Sequence, residues 1–237
     1  ASEGPEVIYH DGYYYLFLAY DALDVPYNTR VARATNIAGP YLGMDGTDVT
    51  TAGGDLLPVV THPYKFNGSD GWVGISHCCV FDDGNGNWFF ASQCRFPANV
   101  GGNAYSNALM MGHVRSIRWT EDGWPLVMPE RYGAVPQVAI TEDELIGNWE
   151  HIDLSYSYGN QKTSTQMTLA ADHTVTEGPW KGVTWSYDAA KCTLMFSNGI
   201  ELYLQRETDW EASPRTHTIV YAGYGDNYKT YWGKKSK

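Results

Sequence analysis

Short apolar runs, alternating with polar residues and closed off by Gly, Asp and Asn, repeat along the whole chain. Val7 to Tyr9 and Tyr13 to Ala19 flank Asp11-Gly12, a dipeptide that tolerates the positive φ angles of a two-residue hairpin turn. Asn28 to Ala34 alternates with the period of two expected of a strand, and Gly39-Pro40-Tyr41 reads as a turn. Residues 43 to 71, rich in Gly, Asp and Thr, read as a long loop. The pattern restarts at Gly71-Trp72-Val73-Gly74. Strands are predicted over Ser76 to Phe81, Trp88 to Gln93 and Leu109 to Trp119, followed by a turn at Glu121 to Pro125. The two stretches resemble each other: each has a polar residue, an apolar strand, an Asp/Gly turn and an aromatic strand, with Tyr9 and Phe81 in equivalent places. Such a repeat predicts propeller blades, although two hairpins of a β-sandwich give the same pattern.

After Tyr132 the texture changes. Thr141 and Glu144 have the spacing of a capping box at a short helical turn. A second β series then opens at Gly147 to Ile152. Its further strands are predicted near Gln166 to Ala170, Gly182 to Tyr187, Thr193 to Phe196, Ile200 to Arg206, Thr218 to Ala222 and Thr230 to Gly233. This is a meander able to close into a small barrel. The reading is all-β, with domains over residues 1–139 and 140–237.

Composition supports it: 14% aromatic residues, 25 glycines and only 18% charged residues suit strands and turns better than amphipathic helices. A net charge of -11 argues against nucleic acid and anionic membranes, which need clustered cations. The only basic cluster, Lys234, Lys235 and Lys237, reads as a solvated tail. No apolar run approaches the roughly 20 residues of a membrane helix. The chain lacks an initiator Met, so its first residue reads as a processed or artificial end, from which no localisation is taken.

Glu3 stands before a Gly-Pro corner at the mouth of an apolar strand, a good place for a proton donor and equally for a surface carboxylate. His77, between apolar residues, reads on its own as a core histidine. Arg95 ends a strand. Tyr20, Asn28 and Trp72 are candidates for a sugar-binding groove, while most aromatic residues must serve the core. His10, His62, His113, His151, His173 and His217 form no HxH or HExxH motif and read as structural or exposed. Cys78, Cys79, Cys94 and Cys192 form no CxxC pair. Adjacent in a strand, Cys78 and Cys79 point to opposite faces, so at most one faces Cys94; buried free thiols are the expectation.

An ordered set of segments carries a resemblance. Glu3-Gly4-Pro5, Tyr13 to Phe17, Tyr27-Asn28-Thr29-Arg30-Val31, Gly39-Pro40-Tyr41, Gly71-Trp72-Val73 with Ser76-His77, Arg95-Phe96-Pro97 and Glu121 to Pro125 resemble glycoside hydrolase family 43, most of all its extracellular endo-α-1,5-L-arabinanases. The second region resembles the lipocalin-like C-terminal domain of the two-domain members, down to the ending Tyr231-Trp232-Gly233-Lys234-Lys235. The resemblance implies the C-terminal part of a five-bladed propeller followed by a small lipocalin-like barrel, in an extracellular enzyme acting on arabinan. It implies hydrolysis with inversion, an Asp acting as base on a water, a second Asp orienting the acid and tuning its pKa, and a Glu as general acid. Glu3 matches that Glu. His77 matches a histidine that binds a metal, by most readings calcium, on the channel axis with water as its other ligands; Arg95 matches an arginine pointing into the active site.

One departure matters. Both family Asp residues lie N-terminal to the Glu, whereas Asp11, Asp21 and Asp24 follow it and do not match their motifs. The expectation is therefore that a preceding segment or a second polypeptide, about two blades in size, completes the propeller. An exo-acting arabinofuranosidase or β-xylosidase on the same scaffold and a non-catalytic carbohydrate-binding protein are the rival readings. The second domain carries no chemistry that the sequence names.

Overall fold

The computed structural model describes residues 2–23 and 26–237; Asp24 lies outside the described residues. Strands β1 (Ser2–His10), β2 (Tyr13–Tyr20), β3 (Asn28–Ala34) and β4 (Val59–Thr61) form a four-stranded antiparallel meander. The β1–β2 turn is the one expected at Asp11-Gly12, both at positive φ. After β5 (Tyr64–Lys65), a second meander repeats the first: β6 (Val73–Asp82), β7 (Trp88–Arg95), β8 (Met110–Trp119) and β9 (Pro125–Val127). The stretch read as one long loop thus contains β4 and β5. These segments are only two or three residues long, and their pairing with distant partners rather than their own periodicity makes them strands.

The two sheets meet through their buried faces, where Tyr15, Phe17 and Val31 of the first share one core with Ile75, Val80 and Phe90 of the second. On their outward faces the 41–56 loop covers Ala32 and Tyr20 of the first sheet and Tyr132 packs on Phe89 of the second, but other apolar residues stay exposed. Val7 is 46% and Tyr9 59% exposed on β1; Phe81 is 41% and Met110 63% exposed on the second sheet. The repeat that paired Tyr9 with Phe81 is therefore structural: each is a large apolar side chain left exposed on its sheet, and exposed apolar surface is how a contact surface looks.

The C-terminal region runs through β10 (Gly147–Asp153), β11 (Lys162–Thr163), β12 (Thr165–Leu169), β13 (Val175–Glu177), β14 (Trp185–Asp188), β15 (Thr193–Phe196), β16 (Glu201–Asp209), β17 (Thr216–Tyr224) and β18 (Thr230–Lys235). Eight of these strands form one sheet in the order β13-β12-β10-β18-β17-β16-β15-β14. The outer pair also meets, since Val175 N–H donates to Val183 O, Gly182 N–H to Val175 O and Trp185 N–H to His173 O, each at 2.8 Å. The sheet is therefore a closed up-and-down barrel, a form that leaves no free edge. Its interior is filled by side chains such as Trp149, Met167, Trp185, Leu202 and Tyr221. Gly233, opposite Tyr221 in the ladder, leaves room for that ring: a Cβ there would lie 2.0 Å from Tyr221 Cζ. The turn before β10 follows the expectation, with the Glu144 carboxylate accepting the Thr141 N–H at 2.8 Å and clamped by Arg206 at 2.9 Å through two nitrogens.

Barrel and meanders share a core that includes Ile152, Tyr203, Val220 and Trp232. The Trp232 indole donates to Val127 O at 2.9 Å. Lys234 corrects the expectation of a solvated tail. It is 2% exposed, and its ammonium contacts Glu130 at 3.2 Å, Asp209 at 2.9 Å and Glu211 at 2.7 Å. The four cysteines are free, and Cys78 is buried while Cys79 is exposed, as opposite faces require.

Of the seven histidines, three are buried in the neutral form. Burial lowers His62 and His151 to about 4 and His113 to about 3. His62 joins the first sheet to the C-terminal region: its Nδ1 lies 2.9 Å from Pro63 O, and its Nε2 accepts the Ser157 N–H at 3.0 Å. In the unfolded chain each titrates near 6.5. Their contribution to stability is thus complete above pH 6.5 and is lost as pH falls toward 4, because the unfolded state takes up protons that the folded state refuses. Three such groups give a slope of up to about 4 kcal/mol per pH unit. Thermal unfolding midpoints are expected to fall steeply between pH 6.5 and 4.5; a flat profile there would contradict the assignment.

Candidate active site

Two β-bulges build the site. In β1 the register slips between Glu3 and Glu6, at Gly4-Pro5, and Gly4 has φ 56°. In β6 it slips again between Ser76 and Cys79, where His77 holds φ 53°, an unusual value for a residue with a side chain. A bulge re-aims a side chain out of the regular alternation. Here the two bulges face each other across the junction of the sheets. A Cβ on Gly4 would lie 2.9 Å from His77 Cδ2, so glycine is what allows the imidazole to pack on the β1 backbone.

Glu3 and His77 are thereby brought together, with His77 Nδ1 at 3.9 Å from Glu3 Oε1 and both side chains about half exposed. Tyr27, just before β3, links them. Its hydroxyl donates to Glu3 Oε1 at 2.5 Å and lies 3.4 Å from His77 Nδ1. Burial, and then the Glu3 carboxylate, push the Tyr27 phenol well above its ordinary pKa, so it stays protonated as the donor. Reading the residues singly missed Tyr27. No sequence signal marks it: the ladder puts Glu3 level with Ala19 and Thr29, and only the fold of the segment before β3 brings the Tyr27 side chain across.

Arg95 lies next to this group, packed on Gly74, where a Cβ would lie 2.9 Å from Arg95 Cδ. Its guanidinium donates to Asn107 O at 3.1 Å and contacts Met110 Sδ, while its Nε has no partner. The other expected groove residues stand behind the site and offer little surface. Tyr20 is buried with the Arg30 guanidinium 5.0 Å over its ring. Asn28 is fully buried; its amide donates to Pro26 O at 2.9 Å and Asp21 Oδ2 at 3.2 Å, and its Oδ1 accepts from Arg30 Nε at 2.6 Å. Trp72 is buried, stacked on Phe96 with ring centroids 4.9 Å apart. Glu6 serves the backbone, accepting the Val80 N–H at 3.2 Å.

For a metal, His77 offers Nε2, since Nδ1 faces Tyr27. One imidazole fits a hard cation only as a single ligand, because such ions take six to eight oxygens and the rest of the shell would be water or groups from elsewhere. Among the described residues one group of three carboxylates is close enough to hold an ion, Glu130, Asp209 and Glu211, and the Lys234 ammonium already fills it.

Comparison with known proteins decides the family. Residues 1–125 match the glycosyl hydrolases family 43, and residues 129–233 match the C-terminal lipocalin-like domain found with it. The chain belongs to glycosyl hydrolase family 43. It is 25% identical to an extracellular endo-α-(1→5)-L-arabinanase of Thermotoga petrophila and to a second one of Bacillus subtilis, over 98% of this chain and 52% of each relative. It is also 28% identical, over 53% of its length and 33% of the relative, to an extracellular exo-α-(1→5)-L-arabinofuranosidase of Cellvibrio japonicus. The fold is that of a family 43 glycoside hydrolase from Bacillus licheniformis (TM-score 0.85, 22% identity, 100% of this chain and 56% of that one). An endo-1,5-α-L-arabinanase of T. petrophila gives a TM-score of 0.82 with 22% identity, again over 100% and 56%. This family 43 chain thus spans about half the length of the curated relatives it matches.

Proposed function

We propose that this chain is the acid-bearing part of an extracellular, inverting endo-α-1,5-L-arabinanase. The observation that carries the reading is the Glu3–Tyr27–His77 constellation on two facing bulges. The geometry supports Glu3 as general acid: its carboxyl is half exposed and held in one orientation by Tyr27. A glycosidic oxygen leaves poorly until it is protonated, so a positioned proton donor lowers the barrier directly. Arg95, with its guanidinium beside Asn107 and Met110 near the group, is placed to hold a sugar hydroxyl. Tyr20, Asn28 and Trp72 brace the wall of the groove. His77 would hold one position of a calcium ion, whose charge, when bound, favours ionised carboxylates around it.

Inversion needs a second carboxylate roughly 6.5–9.5 Å from the acid, with a water between. We assign that base and the tuning Asp to polypeptide outside this chain. Two features support this: the exposed apolar residues Val7, Tyr9, Phe81 and Met110 on the two meanders, and relatives about twice as long. Two four-stranded meanders are two blades, so a five-bladed propeller takes three more, rather than the two expected from sequence. Residues 140–237 form the accessory barrel.

The exo relative favours one alternative, an exo-acting enzyme on the same scaffold. Product analysis separates them. The assembled enzyme is expected to release mixed oligosaccharides from linear arabinan, with the new reducing end first seen by NMR as the inverted anomer. Single sugars released from chain ends would support the alternative, and a retained anomer would contradict the mechanism.

A further inference from the structure

A larger cleft than the one beside His77 lies at the far end of the first meander. Its volume is about 930 Å³, within the roughly 300–1,000 Å³ usual for ligand sites. Tyr13 and Arg33 contribute from β2 and β3, Trp124 and its neighbours from the β8–β9 turn, and Glu201, Tyr224 and Tyr228 from the barrel. Tyr13 pairs with His10, whereas Glu3 pairs with Ala19 six residues along β2. At about 3.3 Å per residue the cleft lies about 20 Å from the candidate active site.

Its walls are preformed. The Arg33 guanidinium is held between two rings, 4.2 Å from the Tyr13 centroid and 4.3 Å from that of Trp124, and donates to Asp122 O at 2.7 Å. The Tyr224 hydroxyl donates to Pro125 O, and Tyr203 Oη accepts the Glu121 N–H at 3.0 Å. Across from them, Tyr228 in the β17–β18 turn holds φ 62°. That conformation suits Gly or Asn, and an aromatic residue there carries a strain of order 1 kcal/mol that the turn alone does not require. What the strained backbone gains is a half-exposed ring on the wall of the cleft.

The chemistry of the lining selects the ligand. Glu121, paired with Lys191 at 2.9 Å, and Asp122, Glu201 and Asp226 outnumber the one lining cation, Arg33, whose guanidinium is already sandwiched between two rings. Such a surface repels anionic polymers. Carboxylates accept sugar hydroxyls, and aromatic faces stack on the C–H faces of sugar rings. We propose that this cleft binds a neutral oligosaccharide, a remote stretch of the same arabinan chain, and anchors the polymer while the Glu3 end acts on it. The identity of the sugar rests on the function proposed above; the cleft itself does not.

The test uses the assembled enzyme carrying Glu3→Gln, so that polymer stays intact. Tyr228→Asn removes the ring and relieves the strained φ, which keeps the fold. It is expected to weaken binding to linear arabinan about tenfold in affinity electrophoresis, as does Tyr13→Ala. In the active background the same variants should raise KM for polymer while leaving kcat/KM on a short chromogenic arabinoside unchanged. Unaltered polymer affinity in both variants would overturn the proposal, as would an equal loss on the short substrate. The two readings fail separately: hydrolysis surviving Glu3→Gln sinks the catalytic assignment and leaves the cleft standing.

Discussion

Glu3→Gln is expected to reduce hydrolysis of linear arabinan by about 10²- to 10⁴-fold while leaving oligosaccharide affinity nearly unchanged. Glutamine keeps the shape of the side chain, and its carbonyl oxygen still accepts the Tyr27 hydroxyl that now bonds to Glu3 at 2.5 Å. Only the transferable proton is lost. The bulge at Gly4-Pro5, the packing of Gly4 on His77 and the exposure of the site are backbone features that the substitution leaves alone. The effect should depend on the leaving group. An aryl arabinoside whose phenolate leaves without protonation should lose far less than the polymer does. Equal losses on the two substrates would remove the acid role and leave Glu3 a binding residue.

Lys234→Met is expected to cost about 3–5 kcal/mol of stability, the penalty for leaving buried charges without their partner. For a chain of this size that is a fall of roughly 6–20 °C in unfolding midpoint. Three carboxylates converge on this one ammonium, from the segment after β9 and from β16 and its following turn, while Phe66 covers it at 4.3 Å. Burial alone would lower the pKa of Lys234, but Glu130 and Glu211 outweigh it and hold the amine charged. Burial and the neighbouring Glu211 raise the pKa of Glu130 well above the usual range, while, against its own burial, Glu130 and the Lys234 ammonium hold Glu211 below it. The arrangement joins the barrel to the meanders, so differential scanning calorimetry should show the barrel and meanders loosening together. Adding Glu130→Gln to Lys234→Met removes one of the stranded carboxyls and is expected to recover part of the loss. An unchanged midpoint for the single variant would contradict this account of the junction.

Much of the architecture is written locally. Aromatic runs closed by Asp-Gly and Asn-Gly turns place β1, β2, β3, β7 and β15 within a few residues, because a two-residue turn and a period of two leave little freedom. The segments that escape are β4, β5, β9, β11 and β13, each two or three residues long and made strands by their partners. Lys234 was misread for the same reason. Nothing around it tells that Glu130, Asp209 and Glu211 converge from elsewhere in the chain. At the site, Glu3 and His77 are legible as an ordered set of motifs, yet what aims them is two bulges. The Gly4 bulge has its glycine as a signal, whereas His77 at φ 53° has none. Tyr27 became visible only in the fold, through its hydrogen bond to Glu3. Asn28 and Trp72 are residue types suited to a groove, and the fold buries both.

The most direct test of the central claim is turnover of linear arabinan by this 26.5 kDa chain, alone and together with polypeptide supplying the remaining blades. If Glu3 is the acid and the base comes from outside the chain, the chain alone gives no hydrolysis above background, and activity appears on complementation and vanishes with Glu3→Gln. Sustained, inverting hydrolysis by the chain alone would contradict the account.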